Sequence, residues 1–292
     1  MGIRKNILTN AADRDNYIRG VLLLKQEKPV PSGLSTYDLF VRWHHEGAMH
    51  WGPAFLPWHR HFLMEFEKAL QRVLAMPTFA IPYWPWHLDG NKTLAQQLQS
   101  PIWAANCMGK EGANGVVSTG PFAHSATNPN AFRVRLFGEF NGPLQTVNRG
   151  LRRKRGSSSG SIANAAKVKA SIALPNYDMA PWFAAPGGAF RGNHERDHGM
   201  VHVWISSDME TSTSPNDPVF YLHHCNIDRI WEAWRKKHPA SPYVPGNNAS
   251  AANLVGHRLG DRIASIMPNP PTISQLQNVS AKYTYDSLAD LM

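Results

Sequence analysis

The stretch WHHEGAMHWGPAFLPWHRHFLMEFE (Trp43–Glu67) carries His44, His45, His50, His59 and His61 close together. From Phe55 onward its apolar residues are Phe55, Phe62, Leu63, Phe66, Leu70 and Val73, the three-and-four spacing of an amphipathic helix. His59 falls on the buried face of that helix. Just upstream Tyr37, Phe40 and Val41 set the same pattern, and His44 continues it inward. A second group answers the first. It comprises HERDHGMVHVW (His194–Trp204) and, after a short polar segment, NDPVFYLHHCNIDRIWEAW (Asn216–Trp234). His198 and His202 are one helical turn apart and share a face. Asn216-Asp217-Pro218 reads as a helix start. Behind it Phe220, His224, Ile227, Trp231 and Trp234 form one stripe. His223 shares its own stripe with Val219, Asn226, Ile230 and Lys237, which makes His224 the better inward residue.

One buried histidine is ordinarily a satisfied core residue. Several on inward helix faces, in two groups, would each need a separate buried partner, and a shared metal satisfies them together. Neutral imidazoles with no cysteine or carboxylate at ligand spacing favour copper or zinc over iron–sulfur or calcium.

Beside these clusters stand FLPWHRHFLMEFEKAL (Phe55–Leu70), IPYWPW (Ile81–Trp86), IWAANCMG (Ile102–Gly109), TGPF (Thr119–Phe122), YDMAPW (Tyr177–Trp182), SPNDPVFYLHH (Ser214–His224) and HPASPYVPG (His238–Gly246). With them the sequence resembles the type 3 copper proteins, and among these the bacterial tyrosinases and polyphenol oxidases. The resemblance implies a mainly α fold, a four-helix bundle housing a dicopper site, with long loops and a few short strands. It assigns His44, His50 and His59 to the first copper and His198, His202 and His224 to the second, with dioxygen as co-substrate. It also assigns Phe220 as an aromatic packing over the site and Asp228 as a carboxylate orienting a ligand.

The implied activity is oxidation of phenolic substrates, o-diphenols or o-aminophenols, to o-quinones or quinone imines, with monophenol ortho-hydroxylation beside it. Melanin or secondary-metabolite biosynthesis is the setting the resemblance suggests. Family members often carry Asn after the first histidine of the second copper, holding a water together with an upstream Glu. Glu195 matches that Glu, whereas Gly199 stands at the Asn position. Oxidation of ortho-substituted rings is therefore expected to exceed monophenol hydroxylation. Gly199 should leave room beside the second copper, and Val203 and Phe220 should line the ring site. The other readings are hemocyanin-like reversible oxygen binding and a zinc-dependent hydrolase. The HxxxH pair lacks the Glu of HExxH, which counts against the hydrolase.

The remaining sequence sets the frame. The 292 residues are compatible with one copper domain, its halves at about 37–75 and 194–237, and no C-terminal shielding domain is expected. No apolar run reaches the roughly 18 residues of a membrane span, and Met1 to Val30 shows no signal-peptide region. With Cys107 and Cys225 read as free buried thiols, the expectation is a cytoplasmic protein, or one exported only with a helper (caddie) protein that also loads copper. The net charge of +9 is not gathered in a nucleic-acid-binding module, and its one dense run, RGLRRKR (Arg149–Arg155), reads as a solvated, mobile loop. Neither nucleic acid nor membrane is an expected partner. His194 reads as a surface residue, ahead of a surrogate base or a group supporting a ligand, and His87 and His124 read as surface or hydrogen-bonding groups rather than ligands. A packing helix is expected at about Asp13–Glu27 and a short one over Ala163–Ile172. Between Pro77 and Thr146, loops with short helices or strands are expected, of the kind that select substrate.

Overall fold

The computed structural model describes residues 1–157, 159–184, 187–250 and 252–292. Its helices are α1 (Ala11–Gln26), α2 (Thr36–Gly47), α3 (Phe55–Leu74), the short α4 (Trp86–Asp89) and α5 (Leu94–Leu98), α6 (Ala165–Ala173), α7 (Phe190–Ile205) and α8 (Val219–Lys237). The strands are β1 (Gly2–Arg4), β2 (Val134–Phe137), β3 (Gln145–Arg149) and β4 (Tyr283–Tyr285). The molecule is mainly α, with long loops and few short strands.

Local chemistry places the helix starts. Ser35 and Asp38 form a reciprocal capping box at the head of α2, satisfying two otherwise orphaned amides. α1 buries Tyr17, Gly20, Val21 and Leu24, one stripe of its surface. Gly20 allows a close approach there, since a Cβ would lie 2.7 Å from Leu70 Cδ2 of α3. α8 is buried on almost every face from Val219 to Trp231 and runs through the centre of the apolar cluster. α3 packs against both α1 and α8. β1 and β4 pair in parallel, Gly2 with Tyr283 and Arg4 with Tyr285, so the two ends of the sequence meet beside α3 and α8. β2 and β3 form an antiparallel pair with an irregularity between Val134 and Leu136. No helix among the described residues is long and apolar enough to cross a membrane.

The basic run is where the sequence misleads. Arg153 is fully buried and holds Asp217, just ahead of α8, through two bonds of 2.6 and 2.8 Å. Arg155 pairs with Glu111 at 2.8 Å, and Arg149 chelates Asp208. Three of these cations are thus consumed by carboxylates remote in sequence, and the segment is an internal tie rather than a solvated, mobile loop. Each partner lies dozens of residues away, so local composition could not reveal it.

Candidate metal centre

α2 supplies His44, the α2–α3 connection His50, and α3 His59; α7 supplies His198 and His202, and α8 supplies His223 and His224. His44, His50 and His59 form one group and the other four a second, each able to bring one ligand atom per residue within 4.8 Å of the rest. The groups face each other, for the rings of His59 and His224 stack 4.4 Å apart.

Backbone carbonyls set the tautomers. Nδ1 of His44 lies 2.7 Å from the Ser212 oxygen, that of His59 2.9 Å from Phe55, and that of His202 2.6 Å from Met209. A ring nitrogen against a carbonyl must donate its proton, which leaves Nε2 as a bare lone pair. Nε2 of His44 and of His59 is buried and finds no protein partner. In the second group, His224 Nε2 lies 3.1 Å from His198 Nε2 and 3.4 Å from His202 Nε2. Protonation is a poor remedy for that convergence. Burial lowers the pKa of all six rings, that of His50 to about 3 and of His202 to about 4, and the neighbouring imidazoles lower most of them further. Neutral imidazoles that converge here, with Nε2 of His44, His59 and His202 left bare, fit a bound cation, and the all-imidazole donor set suits copper.

His223 stacks on His198 at 5.1 Å and neither of its ring nitrogens has a partner. It belongs to the same group, yet His224 is the residue whose Nε2 meets both His198 and His202.

Two aromatics hold the rings from behind. Phe220 lies 4.1 Å from His224 and 5.0 Å from His44, centroid to centroid. It is fully buried and wedged beneath the imidazoles rather than lining the open site, because α8 turns it inward with His224. Phe55, not singled out in the sequence as a site residue, packs 4.8 Å from both His59 and His198.

In front of the histidines opens a pocket of about 230 Å³, bounded on the inside by His44, His50, His198 and His202. Gly199 and Val203 of α7 also line it. An ideal Cβ at Gly199 would have no atom within 4 Å, so the space beside that residue is real. Glu195, one turn earlier, also faces the pocket. Its carboxylate accepts from Arg191 Nη1 at 2.9 Å and from the Trp51 amide. Burial pushes its pKa up to about 7, against the opposing pull of Arg191. The bond to Trp51 pins a residue in the left-handed region, φ 58°. Trp51, Phe140 and Glu210 complete the mouth. They lie on loops or at an element's end, where periodicity says nothing; the signal within reach was the adjacency of Trp51 to His50.

Two expectations about nearby residues change, those for His194 and Asp228, and that for His87 is met. His194 is buried, its Nε2 2.9 Å from the Ile227 carbonyl and its ring stacked on Phe190, so it couples α7 to α8 and is no surface group. Asp228 touches no imidazole among its hydrogen bonds. One turn beyond His224 along α8, it accepts from Arg60 Nε, Arg4 Nη1 and the hydroxyls of Tyr283 and Tyr285. Carbonyl oxygens instead do the orienting it was expected to do. His87 is a hydrogen-bonding residue, 2.8 Å from Asp290, but a buried one. Cys107 and Cys225 are free and buried, as expected.

Residues 34–237 match the model of the common central domain of tyrosinase. A tyrosinase of Streptomyces antibioticus is 36% identical over 301 aligned positions, covering 98% of this chain and all of that protein. A grixazone synthase of Streptomyces griseus is 32% identical over 286 positions, covering 83% of this chain and 87% of the other. Among solved structures, a polyphenol oxidase from Thermothelomyces thermophila superposes with a TM-score of 0.74 at 21% identity, over 98% of this chain and 89% of that one.

Proposed function

The chain belongs to the tyrosinase family, a dinuclear copper family that uses dioxygen, and from that premise we propose that it oxidises phenols, with o-diphenols and o-aminophenols ahead of monophenols. The observation that carries the reading is the convergence of His198, His202 and His224 opposite His44, His50 and His59, at the base of an open pocket. In this reading each set of three holds one copper. The coppers, when bound, supply dioxygen activation and accept the two electrons of the ring, two diphenols per dioxygen leaving as quinones with two waters.

The protein's own groups do the rest. Carbonyls of Ser212, Phe55 and Met209 fix which nitrogen each imidazole offers. Phe220 and Phe55 keep the rings from rotating and exclude water behind them. An incoming phenol lies over Val203 with its hydroxyl toward the histidines. Glu195, with a pKa of about 7, is placed to take the hydroxyl proton. Gly199 offers no side chain to hold a water with Glu195, which weakens the first deprotonation of a monophenol more than that of the more acidic diphenol.

Residues 1–292 act in this proposal as one copper domain, with the first metal half at about 37–75 and the second at about 194–237. The two buried free thiols support residence in a reducing compartment, the cytoplasm. A small helper protein for copper loading completes the proposal, and co-expression with it should raise the copper content of the purified chain.

The test is oxygen uptake by copper-loaded protein with tyramine, catechol and 2-aminophenol in turn. Rapid uptake with the ortho-substituted rings and slow uptake with tyramine is the expected result. Equal rates on tyramine and catechol would overturn the role given to Gly199, and no uptake at all would overturn the reading.

A further inference from the structure

The pocket mouth has a chemistry that the histidines do not explain. Trp51 and Phe140 stand at its edge although 55% and 57% of their surfaces are exposed, unusual for residues of this size. Glu210 joins them, exposed and accepting a hydrogen bond from Ser206 Oγ at 2.6 Å. Among the described residues no lysine or arginine lines this pocket, in a chain that has 30 of them and a net charge of +9. The other carboxylate of the lining, Glu195, is already engaged by Arg191 and the Trp51 amide. Glu210 is therefore the lining carboxylate open to an incoming charge.

Resting on the phenol-oxidase reading, we propose that the pocket selects phenols whose side chain is a cation, of the arylethylammonium class. The aromatic ring enters toward the histidines, and the ammonium remains at the mouth beside Glu210 and against the faces of Trp51 and Phe140. Aromatic faces attract cations through the negative potential above the ring, and a carboxylate beside them makes the pair selective. A substrate with a carboxylate tail meets the opposite environment, an acidic group and no cation to receive it. The basic surface of the whole molecule does not reverse this preference. Its field is screened beyond about 8 Å at physiological salt, whereas the groups at the mouth act in contact.

The experiment uses the copper-loaded enzyme and three catechols that differ in the tail: dopamine (cation), 4-methylcatechol (neutral) and 3-(3,4-dihydroxyphenyl)propionate (anion). Each kcat/KM is normalised to that for 4-methylcatechol in the same variant. The cation should lead the anion in the natural protein. Glu210→Gln should lower the cation-to-anion ratio about fivefold, the worth of one exposed charge pair. As a reading free of turnover, 2-phenylethylamine should bind the protein more tightly than 3-phenylpropionate in titration calorimetry, and Glu210→Gln should shrink that gap. A natural preference for the anion, or a ratio unmoved by Glu210→Gln, would overturn the proposal. Failure to oxidise any of the three would instead sink the phenol-oxidase reading, and the proposal with it.

Discussion

Replacing Asp228 by asparagine tests whether this carboxylate holds the frame or serves the metal. In the folded chain it accepts from Arg60 Nε at 2.5 Å, Arg4 Nη1 at 3.2 Å and two tyrosine hydroxyls at 2.6 Å each. Both guanidiniums are fully buried. Breaking a buried pair from one side generally costs about 3–5 kcal/mol, because an uncompensated charge is left behind. Here Arg4 keeps Glu67 and Arg60 keeps Glu232, so the cost should fall at the lower end, about 3 kcal/mol. At about 2 °C per kcal/mol for a chain of this size, Asp228→Asn should lower Tm by about 6 °C. The measurement is thermal unfolding of metal-free protein, followed by copper analysis of the reloaded variant. The loss should be large near neutral pH and fade in acid. The arginines hold the Asp228 carboxyl below its usual range despite burial, so its contribution is present above pH 4 or so and vanishes as pH falls through the lowered folded value. A Tm within about 1 °C of the parent, together with lost copper, would refute this reasoning and return Asp228 to ligand orientation.

His224→Ala should leave one copper per chain and no oxidase activity, whereas His223→Ala should retain two coppers by metal analysis; equal losses would contradict the assignment. Gly199→Asn has open space to fill and should raise the ratio of tyramine to catechol oxidation by roughly tenfold if a water held there assists deprotonation, as general-base effects of 10²–10⁴ allow. An unchanged ratio at full copper content would remove that account. Arg153→Met strands Asp217 in the interior and should destabilise the chain by about 3–5 kcal/mol in urea unfolding. A cost near zero would mean that the segment is the loose loop its composition suggests.

Much of the metal centre could be read from spacing alone. The inward positions of His44, His59 and His224 follow from the three-and-four repeat of their apolar neighbours, and His198 and His202 from their one-turn separation. His50 could not be placed this way, since it lies between helices, and only the family resemblance pointed to it. The helix ends were legible to within a few residues. α1 begins at Ala11, ahead of the expected Asp13, and α7 begins at Phe190, within a stretch rich in glycine and proline. Charged residues misled most. Arg149–Arg155, His194 and Asp228 each take a partner from another element, and the sequence distance to that partner ranges from 33 residues for His194 to 224 for the Arg4–Asp228 pair. Periodicity reports which face is buried and is silent about what a buried charge meets there.

That silence separates two tasks the chain performs on the same helices. On α8 His224 turns its Nε2 toward His198 and His202, while Asp228, one turn farther along the helix, accepts from Arg4, Arg60 and the hydroxyls of Tyr283 and Tyr285. α3 is divided in the same manner, with His59 facing the centre and Arg60, its immediate neighbour, gripping Asp228 and the Leu276 carbonyl. These buried ion pairs fix where α3 and α8 stand relative to each other. Imidazoles on the inner faces can then remain neutral and unpaired until a metal arrives, at a desolvation cost the rigid frame can bear. The mouth follows a different rule. Trp51, Phe140 and Glu210 contribute little to the core, being exposed, and so are free to differ without disturbing either task. Substrate choice should therefore respond to changes at those positions, while copper content responds to the histidines and stability to the arginine–carboxylate frame.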